Sequence, residues 1–168
     1  QEYGVRQLLV EHTHFNDPEK REHIRRLLIR AAQQKTIPIV NYNDPVSDEE
    51  NRKMELAIRR SHGDQVVECV DNDETAAVIA NLVHAKKLVL KFVEVLNIRS
   101  MEELEEKVRQ LQESCVGASR AGANGAKAKL EYALKSARQG TMVIIGHARH
   151  RLSDLVEGRV ACTRIGLE

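Results

Sequence analysis

The chain reads as an α/β protein, a three-layer sandwich in which a mostly parallel sheet is flanked by helices on both faces. Three observations predict this. Short apolar runs recur along the sequence: VRQLLV (5–10), TIPIVN (36–41), QVVECV (65–70), KLVLKFVEV (87–95) and TMVIIG (141–146). Segments with apolar residues at helical spacing separate them, and such alternation implies parallel strands joined by covering helices. With 168 residues, 42% of them hydrophobic, the chain is the size of one domain, which buries roughly 70% of its unfolded surface without disulfides or metal.

The elements follow in order. VRQLLV is expected as a buried strand, and Phe15-Asn16 as a turn. Asp17-Pro18 opens a helix, because Asp caps and Pro suits the first helical position. Ile24, Leu27, Leu28, Ala31 and Ala32 give it an apolar face ending near Gln34. TIPIVN is the second strand. Ser47 and Glu50 stand at capping-box spacing ahead of a helix running to about Ser61, broken by His62-Gly63-Asp64. QVVECV is the third strand, and Asp71-Asn72 caps a helix whose Ala76, Ala77, Ile79, Ala80 and Val83 should be well buried. KLVLKFVEV is the longest strand candidate, and Ser100 with Glu103 forms a second capping box for a charged helix. VGASRAGANG (116–125) reads as a glycine-rich loop, followed by a helix ending at Gly140. A buried strand at 141–146, a short helix around Arg151 to Val156 and a last strand near Arg159 to Arg164 complete the chain.

Composition narrows the function classes. There are 26 Lys+Arg against 25 Asp+Glu, a net charge of +1, and aromatics make up 3% with no Trp. That balance argues against a dedicated nucleic-acid binder, which needs a basic footprint and stacking platforms. Cys69, Cys115 and Cys162 form no CxxC pair and read as thiols of a reducing compartment. No apolar stretch reaches the roughly 20 residues of a bilayer span, and the start lacks a basic region followed by an apolar one. A cytoplasmic protein with no membrane partner is expected. The chain opens in a strand without an initiator Met, as a piece of a longer protein would.

Ligands of parallel α/β sheets bind at the carboxyl ends of the strands. The loop after TIPIV holds Asn41-Tyr42-Asn43-Asp44-Pro45 and the loop after QVVECV holds Asp71-Asn72-Asp73-Glu74. Asn can donate to a substrate carboxylate and Asp can accept from an amine. The same residues also serve as turn and cap chemistry. The glycine-rich segment, with Gly122, Gly125, Lys127 and Lys129, could cradle phosphate at a helix start, though it is not a GxxxxGK[ST] loop. His12-x-His14 and His147-x-x-His150 lack a Cys or carboxylate at zinc-ligand spacing, so no metal site is expected. No GxSxG elbow supports serine nucleophilic chemistry.

Taken in order, these motifs resemble the amino-acid kinase family, and within it the glutamate 5-kinase branch. TIPIVNYND is similar to the family's strand and N-E-N-D loop, matching at Asn41, Asn43 and Asp44. Val70-Asp71-Asn72-Asp73 resembles its G-D-N-D. GANGAKAKLEYA looks like its G-T-G-G-M-x-T-K-L-x-A-A, which places Lys129 on the phosphate-binding lysine. VIIGHARHRLSDLVEGRVACTRI is similar to its closing segment.

The resemblance implies transfer of the ATP γ-phosphoryl group to the side-chain carboxylate of glutamate or a similar small acid, with Mg²⁺ supplied by the nucleotide. It implies Asn41, Asn43, Asp44 and Asn72 as the acid site and Asp71 and Asp73 as organisers of the reacting groups. Lys129, with Gly122 and Gly125, becomes the phosphate site, and a homo-oligomer is expected. The alternative is a non-catalytic homologue that binds a small acid as a sensor or subunit. Phe92-Val93 stands where the family has a nucleotide-contacting Thr-Asp, and the segments D-G-L-Y and A-D-P have no counterpart. A charged insertion, roughly DEENRKMELAIRRSHG, separates the two substrate loops. The match is to the family's C-terminal part, leaving its first strand, a glycine loop and a second catalytic lysine without equivalents in these 168 residues.

Overall fold

The computed structural model describes residues 2–43, 49–61, 66–68, 72–92, 98–114 and 121–166. They fall into two compact units, Gln1–Val78 and Ile79–Glu168. The α/β class expected from the alternation is the one adopted, with parallel strand pairs and helices in both units.

The first unit begins with strand β1 (Gly4–Val10), helix α1 (His12–Asn16), helix α2 (Pro18–Gln33) and strand β2 (Thr36–Tyr42). β1 and β2 pair in parallel, Arg6 opposite Pro38 and Leu9 opposite Asn41. The crossover helix α2 starts as its sequence dictates: the Asp17 carboxylate accepts from the N–H groups of Glu19 and Lys20 at 2.9 and 3.0 Å, and Pro18 occupies the first turn. These N–H donors, Lys20's foremost, hold the Asp17 carboxyl below its usual range. Gln34 closes the helix, and Lys35 at φ 53° turns the chain into β2.

Three expectations are corrected here. Residues 12–16 form a helix rather than a turn, because Glu11 and His14 cap each other: the His14 N–H donates to the Glu11 carboxylate and the Glu11 N–H to His14 Nδ1. In this helix His12 and His14, two residues apart, do not share a face. β1 is not a buried strand either; Val10 is fully buried, whereas Val5 and Leu9, with Ile37 and Ile39 of β2, are exposed. Finally, residues 66–68 are not strand. The Val67 N–H donates to Asn16 Oδ1 and its carbonyl accepts from Asn16 Nδ2, both at 2.8 Å. A side-chain amide thus satisfies the backbone groups that a ladder would have used.

Helix α3 (Glu49–Ser61) follows, tied back by Arg59 Nη1 donating to the Asn16 carbonyl at 3.2 Å and by an Arg60–Glu68 ion pair. Its expected Ser47 cap lies outside the described residues. Helix α4 (Asn72–Leu82) straddles the unit boundary and buries Thr75, Ala77, Ala80 and Leu82, as its run of small and apolar residues requires.

The second unit comprises strand β3 (Lys87–Phe92), helices α5 (Met101–Ser114) and α6 (Ala121–Arg138), strand β4 (Met142–His147), helix α7 (Leu152–Glu157) and strand β5 (Cys162–Ile165). β3 and β4 pair in parallel, and β5 adds antiparallel to β4. Leu90 and Phe92 of β3, Leu104 and Val108 of α5, Leu130, Ala133 and Leu134 of α6, and Val143 and Ile145 of β4 form its core. Burying each large side chain contributes about 1.5–3 kcal/mol. The Ser100 hydroxyl accepts from the Glu103 N–H at 3.2 Å, while the Glu103 carboxylate reaches back to the Arg99 N–H at 2.6 Å, so the expected cap is made one residue wider than the standard box. No described helix is long and apolar enough to cross a membrane.

The glycine-rich segment is the fourth correction. Helix α6 already begins at Ala121, so the stretch from Gly122 to Gly125 is helical backbone and not a loop. The alternating alanines of AGANGAKAK have the highest helix propensity of any residue, and they offset the two glycines, each of which costs about 1 kcal/mol.

Candidate functional site

The first unit assembles a cluster of side-chain amides where β2 ends and α4 begins. Parallel pairing of β1 and β2 carries Asn41 and Tyr42 to the carboxyl edge, and the Asn43 N–H extends the ladder by donating to the Val10 carbonyl at 2.8 Å. Asn72, the first residue of α4, spans the gap. Its Oδ1 accepts from the Tyr42 N–H at 3.1 Å and its Nδ2 donates to Asn41 Oδ1 at 3.0 Å. The Asn43 side-chain Nδ2 donates to Glu11 Oε1 at 3.2 Å.

Three of the four sequence-predicted acid-binding residues, Asn41, Asn43 and Asn72, are thus brought together from segments thirty residues apart in the chain. The fourth, Asp44, lies outside the described residues, as does Asp71. Asp73 is half-buried in the first turn of α4. Glu74 beside it is buried, and its Oε1 accepts from the Glu68 N–H at 3.1 Å, fixing the approach to the helix.

The chemistry available follows from the inventory. Asn41 is exposed, with its carbonyl oxygen engaged by Asn72, and its Nδ2 makes no hydrogen bond to a described residue. Nδ2 of Asn72 has a second hydrogen beyond the one given to Asn41. These donors face solvent at the positive end of α4, where a carboxylate is favoured. Glu11 and Asn16 complete the local structure by holding Asn43 and Val67, yet neither stands out in sequence. Asn16 precedes the Asp17-Pro18 helix start and reads there as part of a turn.

Lys129 belongs to the second unit. Because α6 starts at Ala121, Lys127 and Lys129 lie in its second and third turns and not in its first. Lys127 pairs with Glu131 at 3.9 Å, and Lys129 is half-buried. Of the two glycines, Gly122 sits in the first turn, where N–H groups lack helical partners, whereas Gly125 lies beyond it. At the end of β4, His147 and His150 meet edge to face at 6.2 Å, and His147 Nδ1 accepts from the Arg149 N–H at 3.1 Å. Among the described residues no group of three or more His, Cys, Asp or Glu could hold a metal ion.

Parallel strand pairs with covering helices make this an α/β protein, with a cluster of exposed amides at the carboxyl end of β2. The profile of the amino acid kinase family matches residues 2–147, and the chain belongs to that family. It is similar to a glutamate 5-kinase of Gloeobacter violaceus, 28% identical over 176 residues that cover 97% of this chain and 43% of that protein. It is also similar to a glutamate 5-kinase of Leifsonia xyli subsp. xyli, 28% identical over 156 residues, 85% of this chain and 52% of that one. The chain spans about half the length of these curated relatives.

Proposed function

We propose that this chain supplies the acceptor site of a kinase that transfers the γ-phosphoryl group of ATP to the side-chain carboxylate of glutamate or a similar small acid. The observation that carries this reading is the Asn41–Asn72 amide pair, which leaves exposed donors at the start of α4. Family membership and the two glutamate 5-kinase relatives support it.

In the proposed reaction a carboxylate oxygen of the acid forms a bond to the γ-phosphorus. The bond from that phosphorus to the β,γ-bridging oxygen breaks, and ADP leaves with the electron pair, giving an acyl phosphate. The acid is itself the nucleophile, so the protein's task is positioning and charge stabilisation. Asn41, Asn43 and Asn72 hold the acid, with Asp44 completing the site. Asp73, with Asp71, accepts from its amine and organises the reacting groups. Lys129 neutralises charge on the transferred group, and the N–H of Gly122 in the first turn of α6 donates to it. Mg²⁺ would accompany the nucleotide, and no group of three or more His, Cys, Asp or Glu among the described residues could hold a metal ion.

A second reading rests on Phe92. It ends β3 as a buried core residue packed with Leu104 and Val143, at the position where the resemblance places a nucleotide-contacting Thr. A homologue that keeps the acid pocket without nucleotide chemistry, as a sensor or subunit, would carry such a change. Incubating the longest native form of the protein with Mg-ATP and glutamate, and trapping acyl phosphate as its hydroxamate, separates the two. Hydroxamate that is lost in Asn72→Ala and Lys129→Ala supports the kinase; glutamate binding without product supports the second reading. Absence of both glutamate binding and product refutes each.

A further inference from the structure

The face of the β1–β2 sheet that packs on α2 carries the even-numbered residues, since Gly4, Arg6, Leu8 and Val10 of β1 lie opposite Thr36, Pro38, Val40 and Tyr42. On a covered face these positions call for apolar side chains. Val10 and Leu8 comply, and Arg6 does not. Beneath α2 the same face leaves a cavity of about 290 Å³. Several residues around it are small: Thr36 at the start of β2, Pro38, and Ala31 on the helix. Leu8, Leu27, Leu28 and Pro38 give it apolar walls, and Arg6 and Arg30 also line it. Neither arginine has a carboxylate partner among the described residues.

We propose that this cavity binds an amphipathic carboxylate, an organic acid with a short apolar chain. The chain lies on the leucines, and the carboxylate is held by Arg6 and Arg30. Both arginines are exposed and neither is committed to a carboxylate among the described residues, and a guanidinium matches a carboxylate with paired N–H donors. The cavity is near the lower end of the range for small-molecule sites, about 300–1,000 Å³, which limits the ligand to about the size of a six- to ten-carbon acid. The site lies at the amino-terminal halves of the strands, opposite the amide cluster at their carboxyl ends, and does not depend on the kinase reading.

Titration of the purified chain with sodium octanoate below its micellar concentration, followed by calorimetry, tests this. Saturable binding at one site per chain is expected. It should weaken at least about tenfold in Arg6→Gln/Arg30→Gln, the loss of charge-assisted hydrogen bonds, and disappear in Ala31→Leu, which fills the cavity. 1-Octanol should bind at least about tenfold more weakly than octanoate, for the same reason. The two arginines are exposed, so their replacement keeps the fold, which far-ultraviolet circular dichroism verifies. No saturable binding, equal binding of octanol, or binding unchanged in the double variant overturns the proposal. So does displacement of octanoate by glutamate together with loss of binding in Asn72→Ala, which would place the acid at the amide cluster.

Discussion

Replacing Gly146 with alanine tests how helix α7 is seated on the sheet. Gly146 is the next-to-last residue of β4, between Lys91 of β3 and Cys162 of β5. A Cβ at this position would stand 2.2 Å from Leu155 Cδ2, 3.1 Å from Cδ1 and 3.2 Å from Cγ. Leu155 has no exposed surface to move into. Nor can α7 slide away freely, because Arg164 Nη2 donates to the Leu155 and Val156 carbonyls at 3.0 and 2.7 Å. Relief therefore requires an off-rotamer leucine or rupture of that clamp.

Overpacking of this kind costs about 1–3 kcal/mol, and the anchored helix places Gly146→Ala in the upper half, about 2–3 kcal/mol. In urea unfolding followed by circular dichroism the midpoint should fall by about 1 M with an unchanged slope. Leu155→Ala alone should cost about 2–5 kcal/mol through the cavity it leaves. In the double variant the new methyl enters that cavity, so the two effects should fall short of additivity by at least about 1 kcal/mol. A Gly146→Ala protein within about 0.5 kcal/mol of the parent, or strict additivity, would refute the packing described for α7.

Other outcomes are expected elsewhere. Lys129→Ala in the active form should lower turnover on the order of 10²-fold or more with folding retained; an unchanged rate in the hydroxamate assay removes Lys129 from the mechanism. Asn72→Ala should raise the glutamate KM or Kd at least about tenfold, the loss of a hydrogen bond to a charged group, whereas Asn16→Ala should act through stability and leave binding by the folded fraction unchanged. Asp17 has its folded pKa depressed, mainly by the Lys20 N–H and then by that of Glu19. Its contribution to stability is complete above its unfolded value, near 4, and is lost as pH falls through the lower folded one. Asp17→Asn keeps a capping oxygen but does not titrate, so its acid unfolding curve should be flatter below pH about 4; identical curves would remove Asp17 from the acid response.

How much of this was legible in sequence differs from element to element. The start of α2 was, because Asp17-Pro18 acts within a single turn, and so was the Ser100–Glu103 cap. Residues 66–68 were misread: an apolar run is consistent with a strand, but Asn16, fifty-one positions from Val67, takes the backbone groups. No local pattern carries that information. The glycine-rich segment was misread for a different reason, since two glycines suggest a loop while the surrounding alanines sustain a helix from Ala121.

The same division runs through the candidate site. Residue type alone nominated Asn41, Asn43 and Asn72, because amides that follow an apolar run can end a strand or bind a carboxylate. Sequence also set the α/β class, since alternating periods of apolar residues permit few other solutions. Tertiary structure decided which amide bonds which. Asn72 closes on Asn41 and Tyr42 only because parallel pairing of β1 and β2 and the seating of α4 bring distant segments within 3.1 Å. Hydrogen bonding is that short in range, while propensity and spacing are properties of neighbours along the chain. The cavity holding Arg6 and Arg30 likewise belongs to packing, because a void is set by what fails to meet across it.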